Sequence, residues 1–326
     1  MITDVHFYGR EQGDWLAVLD VISRANGYRT TRYAYDTRKV RGNTTSKKHF
    51  LVTSYRNTKS NKSPIIHVGH GYGCSSSVYD LGFFAVTAYG ELHKKEYMNI
   101  GIPEDQIMVV GSPTSIQLSQ YKHPSYKRAW LAGRGQDPDK KTVLYAPTGQ
   151  HKKSSGIFAN WGDDEYQLVY NMCDYIKNRL GANLIVRLHD RKKYTKDWLD
   201  KYRRAFDNFE VYTTYADEDP GQLLYCKYSD VLIGDRSSMN TEFYVQNKPV
   251  VHIDSDTFEN TGDWDLADRA GVVTDDFSVM LEATAAYLKH PDRHSDLRND
   301  IVSKYISYVG EDSREQIIKE FNRLTR

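Results

Sequence analysis

Short β-branched and aliphatic runs alternate with longer amphipathic stretches along this chain, and that alternation restricts the fold more than any other feature. Strand-length runs fall at 4–9, 31–36, 49–54, 65–69, 83–89 and 107–111, with helical periodicity at 12–26 and 91–99. A second series starts at Thr142 and continues through a helix over 163–180 and strands at 183–189, 210–213, 230–233, 250–253 and 272–274. The chain after Pro291 reads as helical. Repeated βα units imply parallel sheets covered by helices, an α/β fold. At 326 residues the chain is long for one ordinary domain. The polar, Gly- and Pro-containing stretch 133–141 reads as the boundary, giving expected domains at 1–136 and 141–326. Two Rossmann-like domains facing a central cleft would bind a ligand at the carboxyl ends of their strands.

The segment from Ser229 to Ser238, continuing to Thr241-Glu242-Phe243, reads as a buried strand, a short polar turn and a helix beginning on two hydroxyls. Such a helix start presents free backbone N–H groups and a positive dipole end, which suits a phosphate. Ser237 and Ser238 are equally good as helix caps, and a ligand oxygen can still take the remaining amides. Asp235 would repel a phosphate if aimed at it, and suits orienting the turn. Glu242, one turn on, is placed for a ribose hydroxyl or serves as a first-turn acid.

Three further groups carry candidate chemistry. The strand Ile65-Ile66-His67-Val68 runs into Gly69-His70-Gly71-Tyr72-Gly73, so His70 stands in a glycine-rich loop that lets backbone approach a ligand. There His70 either takes a proton from an attacking hydroxyl or hydrogen-bonds the turn. In Val186-Arg187-Leu188-His189, alternation puts Arg187 and His189 on one face of a strand end, where both could neutralise phosphates. Thr148, closing Tyr145-Ala146-Pro147-Thr148, sits at another strand end.

Composition removes several classes. Lys and Arg total 44 against 43 Asp and Glu, a net charge of +1 that supplies no general field for nucleic acid or an anionic membrane. No apolar run is long enough to span a bilayer, and no secretion signal opens the chain. The three cysteines form neither a disulfide framework nor a zinc spacing, which points to reduced thiols in a cytoplasm. No Gly-x-Ser-x-Gly elbow is present, which argues against acyl hydrolysis. The remaining histidines are scattered without ligand spacing, so each reads as structural or exposed.

Taken in order, His70-Gly71, Val109-Val110-Gly111-Ser112-Pro113, Val143 to Thr148, Arg187-Leu188-His189, Ser229 to Ser238 with Glu242-Phe243, and Lys248-Pro249-Val250-Val251 resemble the CDP-glycerol glycerophosphotransferases of teichoic acid synthesis. The likeness runs over about residues 64–255. It implies a glycosyltransferase-B-like (GT-B) fold, an N-terminal acceptor-side domain and a C-terminal domain that binds the nucleotide donor, with no metal or cofactor, since helix amides and cations take that role. The implied reaction passes an alcohol phosphate from a CDP-alcohol to a hydroxyl acceptor, which could be a polymer, and releases CMP. By the same resemblance His70 is the base, and Arg187 and His189 contact the leaving phosphate. The same resemblance makes Asp235, Ser237 and Ser238 the donor phosphate loop and Glu242 the ribose contact, while Gly71, Gly73, Thr148 and Arg236 are candidate donor contacts by their places in the strand-end loops. The chain departs from the family pattern at Tyr72-Gly73, Gly149, Asp190 and Gly234-Asp235-Arg236. Those departures keep a second expectation open: a GT-B glycosyltransferase that uses a nucleotide sugar on a glycan, a polymer or a modified nucleic-acid base. A nucleotide-binding protein without catalysis is a third.

Overall fold

The computed structural model describes residues 4–8, 21, 22, 24, 29–33, 49–53, 65–68, 84–121, 123–147, 165–188, 196–215, 218, 219, 221–235, 237, 239–253 and 270–325. The strands are β1 Asp4–Tyr8, β2 Arg29–Tyr33, β3 His49–Thr53, β4 Ile65–His67, β5 Ala85–Ala88, β6 Ile107–Val109, β7 Thr142–Ala146, β8 Asn183–Leu188, β9 Tyr212–Tyr215, β10 Val231–Gly234, β11 Val250–Ile253 and β12 Gly271–Thr274. The helices are α1 Glu91–Asn99, α2 Pro113–Gln120, α3 Pro124–Ala132, α4 Glu165–Asp174, α5 Lys196–Asn208, α6 Gln222–Tyr228, α7 Met239–Tyr244, α8 Phe277–Lys289, α9 Ser295–Tyr305 and α10 Glu311–Thr325.

Two six-stranded sheets form, ordered β2-β1-β3-β4-β5-β6 and β12-β11-β10-β7-β8-β9, and every described pairing is parallel. The α/β expectation is met. β7, β8, β10 and β11 are buried at every position, which is why they read as mainly apolar runs and not as alternating ones. Strand positions match the sequence reading to within two residues, except that β2, read as 31–36, ends three residues earlier at Tyr33. Helices α2, α3, α5, α6 and α8 were not singled out beforehand. The helix expected over 163–180 is α4 followed by a π-helical turn at Tyr175–Arg179. Gly181, with φ +62, ends it.

The chain groups into two compact units, 1–120 with 302–326, and 121–301. This grouping differs from the sequence-based division in two ways. The segment 133–141, read as a boundary, packs within the second unit. Arg134 Nη2 donates to Asp219 Oδ2 at 2.9 Å, and Asn183 Nδ2 donates to the Asp137 carbonyl at 2.7 Å. Its polar composition serves these partners and the turn at Gly135 (φ +65). The C-terminal segment from residue 302, assigned by sequence to the second domain, belongs to the first unit. Ile317 and Phe321 of α10 share a core with Ile66, Val68, Ala85, Met108, Val110 and Ile116. The entry to α10 is tied down as well: Ser112 N–H donates to Tyr308 O at 2.9 Å, and Ser307 N–H to Tyr89 O at 3.0 Å.

Candidate functional site

In the second unit the chain runs β7, β8, β9 to one side of the sheet and β10, β11, β12 to the other. The order reverses between β7 and β10, and the crevice at the carboxyl ends of such a pair is where open α/β sheets take ligands. The register pairs Gly234 with Ala146, and Val186 with Tyr145. Arg187 therefore stands level with Ala146 and Gly234, and Asp235 and Ser237 follow immediately past that row. Three separate sequence segments are brought to one sheet edge.

The turn after β10 is held by its own backbone. The Asp235 carbonyl accepts from Ser237 N–H at 3.0 Å and from Asn240 Nδ2 at 2.8 Å. Ser237 Oγ accepts from the N–H of Met239, the first residue of the following helix, at 3.2 Å. That helix, α7, starts at Met239 and has six residues, later and shorter than the sequence suggests. Asp235 and Glu242 are each 4% exposed. The fields of Glu242 and Arg187 both reach the Cys226 thiol of α6, whose pKa is pushed up chiefly by burial. Arg187 and Glu242 thus share one neighbourhood.

Arg187 is 4% exposed and donates from Nη2 to the backbone carbonyl of Asp219 at 3.0 Å. Its guanidinium carbon lies 5.3 Å from the Tyr225 ring centroid. Lys248 Nζ fixes the end of α6 by donating to the carbonyls of Cys226, Lys227 and Ser229 at 2.9, 2.5 and 2.8 Å.

The structure assembles Arg187, Asp235, Ser237 and Glu242. His70, Gly71, Gly73, Thr148, His189, Arg236 and Ser238 lie outside the described residues. β4, which precedes His70, ends at His67, and that side chain is buried at 2% exposure. Sequence reasoning missed Asp219, Tyr225 and Asn240, and named Lys248 within a motif without a role. Asp219-Pro220-Gly221 before an apolar stretch was the one local sign of a turn opening a helix. A cavity of about 580 Å³, lined in part by Gln136, Phe206, Tyr212 and Thr213, lies along β9, and none of Arg187, Asp235, Ser237 or Glu242 lines it. Arg134 and Leu188, the residue after Arg187, do line it.

Two parallel α/β sheets of this order define a GT-B-type fold, and comparison with solved structures bears this out. The wall teichoic acid polymerase TagF superposes with a TM-score of 0.70 at 12% identity, covering 99% of this chain and 89% of that one. The UDP-GlcNAc 2-epimerase of Neisseria meningitidis superposes with a TM-score of 0.63 at 13% identity, covering 99% and 100%. The signature of the CDP-glycerol:poly(glycerophosphate) glycerophosphotransferases matches residues 43–321, and the chain belongs to that family. It is also 28% identical over 146 residues to the processive diacylglycerol beta-glucosyltransferase of Staphylococcus haemolyticus, a match to 44% of this chain and 33% of the relative. The chain thus spans about a third of the length of the curated relatives it matches.

Proposed function

We propose that this chain transfers glycerol phosphate from CDP-glycerol to a hydroxyl of a polymeric acceptor and releases CMP. Membership of the glycerophosphotransferase family over residues 43–321 carries this reading. The position of Arg187, Asp235 and Ser237 at the reversal point of the second sheet supports it. In this mechanism the acceptor oxygen attacks the phosphorus bearing glycerol, and His70 takes the hydroxyl proton. The bond from that phosphorus to the bridging oxygen breaks, and the oxygen leaves on CMP. Arg187 and His189 stabilise the charge that grows there, together with Arg236, Ser238 and the N–H groups after β10. Thr148, Gly71 and Gly73 complete the donor contacts, Ser237 and Asp235 shape the turn, and Glu242 takes the ribose hydroxyls.

Reduced thiols at the buried Cys173 and Cys226 support a cytoplasmic setting. Among the described residues no helix is long and apolar enough to cross a membrane. The test offers CDP-glycerol with poly(glycerol phosphate), and in parallel UDP-glucose, and identifies the released nucleotide. CMP from the first mixture, lost in His70→Ala, is the expected result. The match to a beta-glucosyltransferase supports the alternative, in which a sugar carbon is attacked. UDP release without CMP would establish that alternative and reject phosphotransfer.

A further inference from the structure

Arg187 cannot act on a developing charge unless something fixes where its guanidinium points. Its described hydrogen bond goes to the peptide carbonyl of Asp219, in the segment between β9 and α6. The carboxylate of the same residue is engaged elsewhere. Oδ1 accepts from Gly221 N–H at 3.0 Å, which closes the turn into α6. Oδ2 accepts from the Tyr225 hydroxyl at 2.5 Å and from Arg134 Nη2 at 2.9 Å. Burial pushes the Asp219 pKa up, and the bonds from Tyr225, Gly221 and Arg134 more than offset it, leaving an ionised carboxylate.

Arg134 is itself clamped. Its guanidinium carbon lies 4.1 Å from the Trp130 ring centroid, 5.3 Å from that of Tyr225 and 5.4 Å from that of Tyr212. Trp130 packs edge-on against Tyr225 at 4.9 Å. Tyr225 therefore has a guanidinium within 5.3 Å on each account, Arg134 and Arg187, while its hydroxyl holds the residue whose carbonyl orients Arg187. The division of labour is chemical. Arg134 meets the Asp219 carboxylate, a charged partner. Arg187 donates to the Asp219 carbonyl, so the same residue holds one guanidinium through its side chain and another through its backbone.

We propose that Asp219, Tyr225 and Arg134 are positioning residues that hold Arg187 in the attitude in which it receives the leaving phosphate. The proposal rests on the role given to Arg187 in the glycerophosphotransferase reading. Asp219 presents the orienting carbonyl, Tyr225 and Arg134 fix Asp219, and none of the three touches the donor. Loss of Tyr225's hydroxyl frees one of the three bonds on the Asp219 carboxylate and leaves the ring in place beside both guanidiniums.

The test measures CMP release from CDP-glycerol with poly(glycerol phosphate) as acceptor, for Tyr225→Phe, Asp219→Asn, Arg187→Met and the Tyr225→Phe/Arg187→Met double variant. Tyr225→Phe is expected to lower kcat by about tenfold to a hundredfold with KM for CDP-glycerol within about twofold, because a misaimed charge is felt in the transition state. In the double variant the Tyr225→Phe substitution should cost nothing further, which a general loss of packing would not reproduce. Asp219→Asn, of the same shape, is expected to follow Tyr225→Phe, and it serves alone if Tyr225→Phe does not fold. Unchanged kcat in both single variants, or costs that multiply in the double variant, would overturn the positioning role and leave the Arg187 reading standing. Wild-type kcat in Arg187→Met would remove the Arg187 reading itself, and the positioning role with it.

Discussion

Acidification should destabilise the first unit through one residue. His93, on α1, is 1% exposed. Its ring stacks on Tyr89 at a centroid distance of 5.9 Å and lies 4.3 Å from the Tyr97 ring. Its Nδ1 accepts from Tyr89 N–H at 3.2 Å, so the neutral ring carries its proton on Nε2. Burial lowers its pKa from 6.5 to about 3. The unfolded chain takes up a proton near pH 6.5 that the native state refuses until near pH 3. In that window the unfolded state binds more protons, and stability falls as pH falls. Each pH unit below the unfolded pKa costs ~1.4 kcal/mol, so the loss at about pH 5 reaches ~2 kcal/mol relative to neutral pH. Urea unfolding of the wild type and of His93→Gln at about pH 7.5, 6 and 5 isolates the effect from other titrating groups. The substitution has its own packing cost, and only the pH dependence is compared. The wild type should lose ~2 kcal/mol more than the variant over that range. Parallel losses in the two proteins would refute a neutral, buried His93.

The C-terminal return to the first unit can be tested at two positions. Gly111 has φ +75, and a Cβ there would enter the van der Waals envelope of the Tyr308 carbonyl. Gly111→Ala should therefore cost about 2–4 kcal/mol, seen as a lower thermal midpoint, and an unchanged midpoint would show that residue 308 does not lie against Gly111. Phe321 is fully buried in the core shared with Ile66 and Met108. Phe321→Ala should cost about 3–5 kcal/mol in urea unfolding, and a loss under 1 kcal/mol would place α10 outside that core. In the second unit, Lys248→Met keeps most of the side-chain volume and removes three donated bonds to the carbonyls ending α6. A loss of about 3 kcal/mol is expected in urea unfolding, and a neutral outcome would mean that water replaces the ammonium there.

Much of the fold was legible because the evidence for a strand is local. Val231–Gly234 is an apolar run bounded by Asp230 and Asp235, and Val250–Ile253 is a mainly apolar one between Pro249 and Asp254; burial on both faces of a parallel sheet demands such runs. Helices α5 and α6 were harder to see, since Lys196–Asn208 is rich in charge and Gln222–Tyr228 is a single short stretch beside a Pro-Gly pair. The stretch 133–141 misled for a physical reason: polar, turn-forming composition is the same whether a segment links two units or binds to one. In the site, Arg187, Asp235, Ser237 and Glu242 could be named because each follows or ends a recognisable strand or opens a helix. Asp219 and Tyr225 could not, because each acts through atoms that are distant in sequence.

The order of the chain thus determined by itself that there would be parallel sheets, that Arg187 and Asp235 would fall at strand ends, and which family the motifs belong to. Hydrophobic periodicity and strand-end chemistry are properties of neighbouring residues, and they survive without coordinates. Tertiary structure alone decided that residues 302–326 close the first unit, that the Asp219 carbonyl meets Arg187, and that Tyr225 stands beside two guanidiniums. These are pairings across 32 to 91 residues of chain or more, set by the packing of helices on a sheet and by no pattern along the sequence.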